Sequence, residues 1–181
     1  MPHRLAQMYG NKPFIYIENS GRPITDVLSG DMDECWRSIL GQVPEGEIVA
    51  PLAEANGEWV SYHGTPEQVA QAYERIRSLD PGHHRWCGSF TIMANVDPYV
   101  EAVLPHVDVL CPSAYDFDGA QDVAGKVRAH AEHGLPVLLA QTGTVRDDKR
   151  AWLNGLVREL YGEVEAVIYF NQHQYAIEGG W

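Results

Sequence analysis

The chain has 181 residues, 45% of them hydrophobic, enough for one domain with a substantial core. Its 13 Lys and Arg stand against 25 Asp and Glu, a formal charge of −12, and no local basic stripe offsets this balance. Nucleic acid is therefore not an expected partner, whereas an uncharged polysaccharide would meet no such repulsion. No apolar run approaches the roughly 18 residues that cross a bilayer, so no membrane partner is expected. The N-terminal MPHRLAQMYGNK lacks the apolar stretch of a signal peptide.

In chain order, short apolar runs alternate with helical patterns. The first run is 13–18 (PFIYIE). A helix over 31–40 follows, with Met32, Cys35, Trp36 and Ile39 on one face. Asp31 and Asp33 fall at its start, where the helix dipole favours acids. The second run, 47–52 (EIVAPL), leads into a helix over 65–79 opened by a capping box of Thr65 and Gln68, with Pro66 in the first turn. The third run, 85–93 (RWCGSFTIM), precedes a short helix over 98–104. The fourth, 107–111 (VDVLC), precedes a helix over 120–133 ended by Gly134. The fifth, 136–140 (PVLLA), precedes a helix over 147–161 ended by Gly162, and the sixth is 166–171 (AVIYFN).

Continuous apolar runs rich in Val, Ile and Leu are the pattern of strands buried on both faces of a parallel sheet. Six strand–helix alternations without a linker predict a single α/β domain over 1–181, a (β/α) TIM-barrel-like fold with right-handed crossovers. A complete eight-unit barrel takes about 250 residues, so about six units are expected, with roughly two missing on the N-terminal side. The edge of an open parallel sheet has unpaired backbone groups. A homo-oligomer or a larger assembly is the expected way to cover it.

In this architecture a ligand site gathers at the C-terminal ends of the strands. The residues just past the runs are Glu18 and Asn19, then Glu54, Asn56 and Gly57, then Asn95 and Asp97. Tyr115, Asp116 and Asp118 come next, followed by Gln141, and last Asn171 and Gln172. Polar groups able to pair with hydroxyls recur at nearly every mouth, accompanied by Trp59, Tyr62, Tyr115, Phe117 and Trp181. Sugars require both: aromatic faces for their C–H surfaces and polar groups for their hydroxyls. Cys35, Cys87 and Cys111 match no zinc spacing or disulfide framework, and Cys87 and Cys111 are expected as buried core residues. His83 and His84 are adjacent, with no third ligand at useful spacing, so no metal is expected, and no cofactor.

The segment IVAPLAEANGEW (Ile48–Trp59) resembles the acid/base strand of glycoside hydrolase family 26, the β-mannanase family. Its Arg-Pro-x-His-Glu-x-Asn-Gly-x-Trp pattern aligns with Pro51, Glu54, Asn56, Gly57 and Trp59. ITDVLSGDMDECW is similar to the stretch before that strand. VDVLCPSAYDF is similar to the strand bearing an active-site tyrosine, here Tyr115, and GLPVLLAQTGTVRDDKRAWL to the nucleophile strand. The resemblance implies Glu54 as acid/base, sugar contacts from Asn56, Trp59, Tyr115, Asp116 and Glu18, and a nucleophile position occupied by Gln141. Ala50 and Ala53 replace the family's arginine and histidine.

A retaining glycosidase needs two carboxyl groups about 5–5.5 Å apart, and a neutral amide is too poor a nucleophile for that role. The resemblance thus implies a degenerate domain that binds β-linked polysaccharide or glycan without normal retaining hydrolysis. Two alternatives stay open. In one, the protein is an active β-mannanase-type enzyme, with Gln141 an engineered replacement of glutamate or with Asp116 or Glu18 supplying the second carboxylate. In the other, it is a structural or adhesion module of a larger assembly such as a phage tail, which would place it outside the cell or on a virion.

Overall fold

A computed structural model describes residues 14–170 and 175–177. The chain packs as two compact units, 1–109 and 110–181. In the first unit, strands β1 (Phe14–Ile17), β2 (Ile48–Pro51) and β3 (Arg85–Gly88) precede the short β4 (Val109–Leu110), which falls at the boundary of the two units. They form one sheet in that order, with β1 on β2 and β2 on β3 in parallel. Every residue of β2 is buried, as its unbroken apolar run requires.

The helices of this unit are α1 (Ile24–Ser29), α2 (Asp33–Leu40), α3 (Pro66–Ser78) and α4 (Asp97–Val103). Helix α1 adds to the sequence reading, and Gly30 (φ 92°) ends it in the left-handed region. Asp33 stands in the first turn of α2. Its carboxylate receives Nε and an Nη of Arg75 at 2.8 and 2.9 Å, which ties α2 to α3 and holds the carboxyl below its usual range.

Helix α3 buries Val69, Ala72, Tyr73 and Ile76, a spacing of three and four that puts all four on one face. Its capping box is formed on both sides: Gln68 N donates to Thr65 Oγ1 at 3.3 Å, and Thr65 N donates to Gln68 Oε1 at 3.0 Å. Thr65→Ala removes this pair, with an expected loss of about 1 kcal/mol in urea unfolding. A change within about 0.3 kcal/mol would show that the cap contributes nothing.

Below β3, His84 is 5% exposed, with Nδ1 2.6 Å from Asp80 Oδ1 and Nε2 3.1 Å from the Val43 carbonyl. Asp80 also accepts from the backbone N–H groups of Gly82 and His84 and from the Trp86 indole. His84 is thereby part of a structural brace. Among the described residues no group of three His, Cys, Asp or Glu is placed to hold a metal, and no helix is long and apolar enough to cross a membrane. Cys87 and Cys111 are fully buried as expected, but both are disulfide-bonded, leaving Cys35 free and exposed.

The second unit carries β5 (Ser113–Asp116), β6 (Leu139–Thr144) and β7 (Val167–Tyr169) in one parallel sheet. Helices α5 (Val123–Ala131) and α6 (Lys149–Glu159) belong to it. Asp122 caps α5 by accepting the Gly125 N–H at 2.7 Å. Two strand limits differ from the sequence expectation. The run 107–111 is followed by a break at Pro112, which has no N–H to donate, and pairing resumes over Ser113–Asp116. The strand expected to end at Ala140 continues through Gln141 to Thr144, because β5 supplies a backbone partner for each added residue. Among the described residues the paired strands make two sheets, and neither closes on itself.

Candidate functional site

In the first unit, the segment after β2 leaves the strand through two residues in the left-handed region, Leu52 (φ 52°) and Glu54 (φ 59°). Such a conformation costs a non-glycine residue about 1–3 kcal/mol and persists only where the surroundings impose it. Here they do. Leu52 N donates to the Ile17 carbonyl at 2.9 Å, and Glu54 N donates to the Ser89 carbonyl at 2.9 Å, so both backbone turns are tied to neighbouring strands. The Glu54 side chain is half-buried, and Oε2 accepts the Trp59 indole N–H at 3.1 Å.

Trp59 is 58% exposed, and its ring lies directly over Gly57. A Cβ at Gly57 would fall 2.3 Å from Trp59 Cζ2, so the ring can take this place only over a residue without a side chain. Glu18 projects at the exposed end of β1. Tyr62 is buried and its hydroxyl donates to the Ala53 carbonyl at 2.8 Å. Burial, and then the charges of Glu18 and Glu54, push the Tyr62 phenol well above its ordinary range.

Asn56, which the family resemblance offers as a sugar contact, is engaged within the fold. It is 1% exposed, its Nδ2 donates to the Thr91 carbonyl at 2.8 Å, and its Oδ1 accepts the Thr91 N–H at 3.1 Å. Both ends of the amide are engaged by backbone, which makes Asn56 a brace between the loops after β2 and β3. Asn19 is similarly buried, with Nδ2 on the carbonyls of Arg22 and Pro23.

In the second unit, the register Ser113↔Gln141 and Tyr115↔Gly143 places these four residues on one face of the sheet. On that face the Tyr115 hydroxyl donates to Gln141 Oε1 at 2.7 Å. The Tyr115 ring is stacked with Phe117 (centroids 5.4 Å apart, planes at 29°), tilted against Tyr175 (5.1 Å) and edge-on to Phe170 (6.3 Å). Tyr175 lies on β6 over Gly143, where a Cβ would come within 2.9 Å of its ring.

Asp116 and Thr144 occupy the opposite face. Asp116 is completely buried and accepts three donors: the Gln121 N–H at 2.9 Å, the Thr144 hydroxyl at 2.8 Å and Arg146 Nε at 2.8 Å. Burial works to raise its pKa, but these hydrogen bonds outweigh it and hold the carboxyl below the usual range. The expectation that Asp116 meets sugar, or serves as a substitute catalytic carboxylate, is not met by this geometry: its oxygens are turned inward and occupied. Alternation along a strand is the physical reason, since Tyr115 and Asp116 are neighbours and point to opposite faces.

The structure thus brings Glu54 to Trp59 and Tyr115 to Gln141, and turns Asn56 and Asp116 inward. Asn171, Gln172 and Trp181 lie outside the described residues. Sequence reasoning passed over Arg146 and Tyr175. Gly143 within a strand marks close approach by another group, a signal for Tyr175; nothing local singles out Arg146 from Lys149 and Arg150 after it.

No protein-family model matches the sequence, and no curated protein matches it. Solved structures do. The YdhT protein from Bacillus subtilis is similar with a TM-score of 0.66 at 17% identity, over 97% of this chain and 65% of that one. A GH128 (subgroup II) endo-β-1,3-glucanase from Pseudomonas viridiflava gives 0.61 at 13%, over 93% and 72%. The catalytic domain of the GH26 endo-β-1,4-mannanase from Bacillus sp. JAMB-750 gives 0.65 at 14%, over 92% and 58%. This chain therefore spans less than two thirds of the YdhT protein and of the GH26 mannanase domain. At such identities the likeness shows the fold: an α/β architecture shared with glycoside hydrolases. Family 26 mannanases are among the structures that share it.

Proposed function

We propose that this chain is a glycoside-hydrolase-like domain that binds β-linked polysaccharide and does not carry out the usual double displacement. The observation that carries this reading is the hydrogen bond from Tyr115 to Gln141 Oε1. The resemblance to family 26 assigns the nucleophile to this position on β6. A carboxylate held by a tyrosine there could attack an anomeric carbon. The amide is neutral, its oxygen is engaged, and it cannot stabilise an oxocarbenium-like transition state by charge.

Binding is supported by features that need no nucleophile. Trp59 presents an exposed ring beside the Glu54 carboxylate, and Glu18 adds an exposed carboxylate at the end of β1. A hydroxylated ring can stack on the indole while its hydroxyls donate to the carboxylates. Glu54 keeps the position of the acid/base residue, and in the absence of displacement chemistry it acts as a hydroxyl acceptor. Asn56 and Asp116 hold the loops. The mannanase and glucanase among the structural neighbours act on β-linked glycans, which makes these polymers the ligand class to test.

The test is an assay of the chain and of Gln141→Glu on β-1,4-mannan and β-1,3-glucan, with binding and product release measured together. The parent is expected to bind without releasing product. Gln141→Glu is expected to gain hydrolysis. Product release by the parent would overturn the reading in favour of an active enzyme using another carboxylate. Failure of both proteins to bind or cleave would overturn it in favour of a structural or adhesion module.

A further inference from the structure

The fold of the second unit does not need the ring of Phe117 for its core: the side chain is 59% exposed. It is nonetheless held in a defined place. The preceding residue, Asp116, is clamped by Gln121, Thr144 and Arg146. The following residues form a tight loop in which Asp118 accepts from the Ala120 N–H and from Gln121 Nε2, both at 3.0 Å. Lys126 donates to Gln121 Oε1 from α5. Gly119 (φ 78°) turns beside the stem of Arg146, where a Cβ would sit 3.6 Å from Arg146 Cγ. The loop is pinned on both sides of its exposed aromatic, and the ring lies stacked along Tyr115.

We infer that Phe117 is a stacking platform for one pyranose ring of a β-linked glycan, with the Gln141 amide next to it as hydroxyl donor; this rests on the carbohydrate-binding reading above. Tyr115 links the two groups, because its ring touches Phe117 and its hydroxyl bonds Gln141 Oε1. Gln141 Oε1 accepts from Tyr115, and no bond from Nε2 is seen among the described residues. An apolar face beside an amide donor is the combination that a sugar's C–H surface and equatorial hydroxyls require. The clamp beneath the loop adds pre-organisation, since a ring that is already ordered loses little further entropy on binding. Asp116 is on this account a positioning residue, acting through the loop and not by contact.

If Phe117 only shields Tyr115, its removal lowers stability and leaves binding intact. The two accounts separate on three variants: Phe117→Ala, Phe117→Leu and Phe117→Trp, each titrated with β-1,4-mannohexaose and β-1,3-glucohexaose and melted in parallel. Phe117→Ala and Phe117→Leu are expected to weaken binding about tenfold or more, with melting midpoints within about 2 °C of the parent. Phe117→Trp, which restores a flat face, is expected to bind at least as well as the parent. Leucine keeps apolar bulk without a planar ring, so it still reports if the alanine variant fails to fold. Parent-like affinity in the leucine variant overturns the platform while leaving the carbohydrate-binding reading standing. A parent chain that binds neither glycan overturns both.

Discussion

Asn56→Ala is expected to destabilise the first unit by about 2–5 kcal/mol, measured as a lowered urea midpoint at unchanged slope. The side chain makes two hydrogen bonds to one residue, and removing it strands the N–H and the carbonyl of Thr91 together. Asn56 is 1% exposed, and an unsatisfied backbone group in such a site costs about 1–3 kcal/mol. The loss should extend to the exit of β2. Glu54 is held there by a backbone bond to Ser89 and by the turn in which Gly57 N donates to the Glu54 carbonyl at 2.8 Å. A variant with parent-like stability and a specific loss of glycan binding would contradict the bracing role and return Asn56 to the ligand.

Asp116→Asn is expected to have its largest effect through charge. The carboxylate accepts three donors, one of them the Arg146 guanidinium, which is about 39% exposed. Substitution weakens the Arg146 and Gln121 bonds and turns one acceptor into a donor that has nothing to meet. Hydrogen bonds to charged groups contribute about 1.5–3 kcal/mol. Exposure of Arg146 to solvent keeps the expected loss near the lower end, about 2 kcal/mol.

The same group gives a pH signature. Its folded pKa lies below the unfolded value, so its stabilisation is complete above an unfolded pKa of about 3.9 and is lost as the pH falls through the folded value. The parent should therefore lose stability on acidification below about pH 4, and Asp116→Asn should lose correspondingly less over the same interval. Parallel pH profiles for the two proteins would show that Asp116 is not held as the structure describes.

Much of the architecture was legible in residue order because local physics determines it. Apolar runs of four to six residues rich in Val, Ile and Leu have few places to go except a buried parallel strand. Thr65, Pro66 and Gln68 begin a helix wherever they stand, and the capping box formed as their spacing implied. The acid/base-like segment was also readable, since Glu54, Gly57 and Trp59 interact within five positions of each other.

What lay beyond the sequence depends on partners distant along the chain. Nothing local distinguishes Tyr115 from Asp116 as a ligand contact; the register Ser113↔Gln141 places one beside the amide and buries the other against Arg146, thirty residues away. The extension of β6 past Ala140 had no apolar signal, because its added residues are stabilised by backbone pairing with β5 and not by hydrophobic burial alone. Asn56 read equally well as a sugar donor or a turn residue until Thr91, thirty-five residues on, claimed both ends of its amide. Composition and spacing determined which elements form and where their polar ends fall. Tertiary pairing alone decided which of those polar groups face outward, because a hydrogen bond consumed inside the fold is no longer available to a ligand.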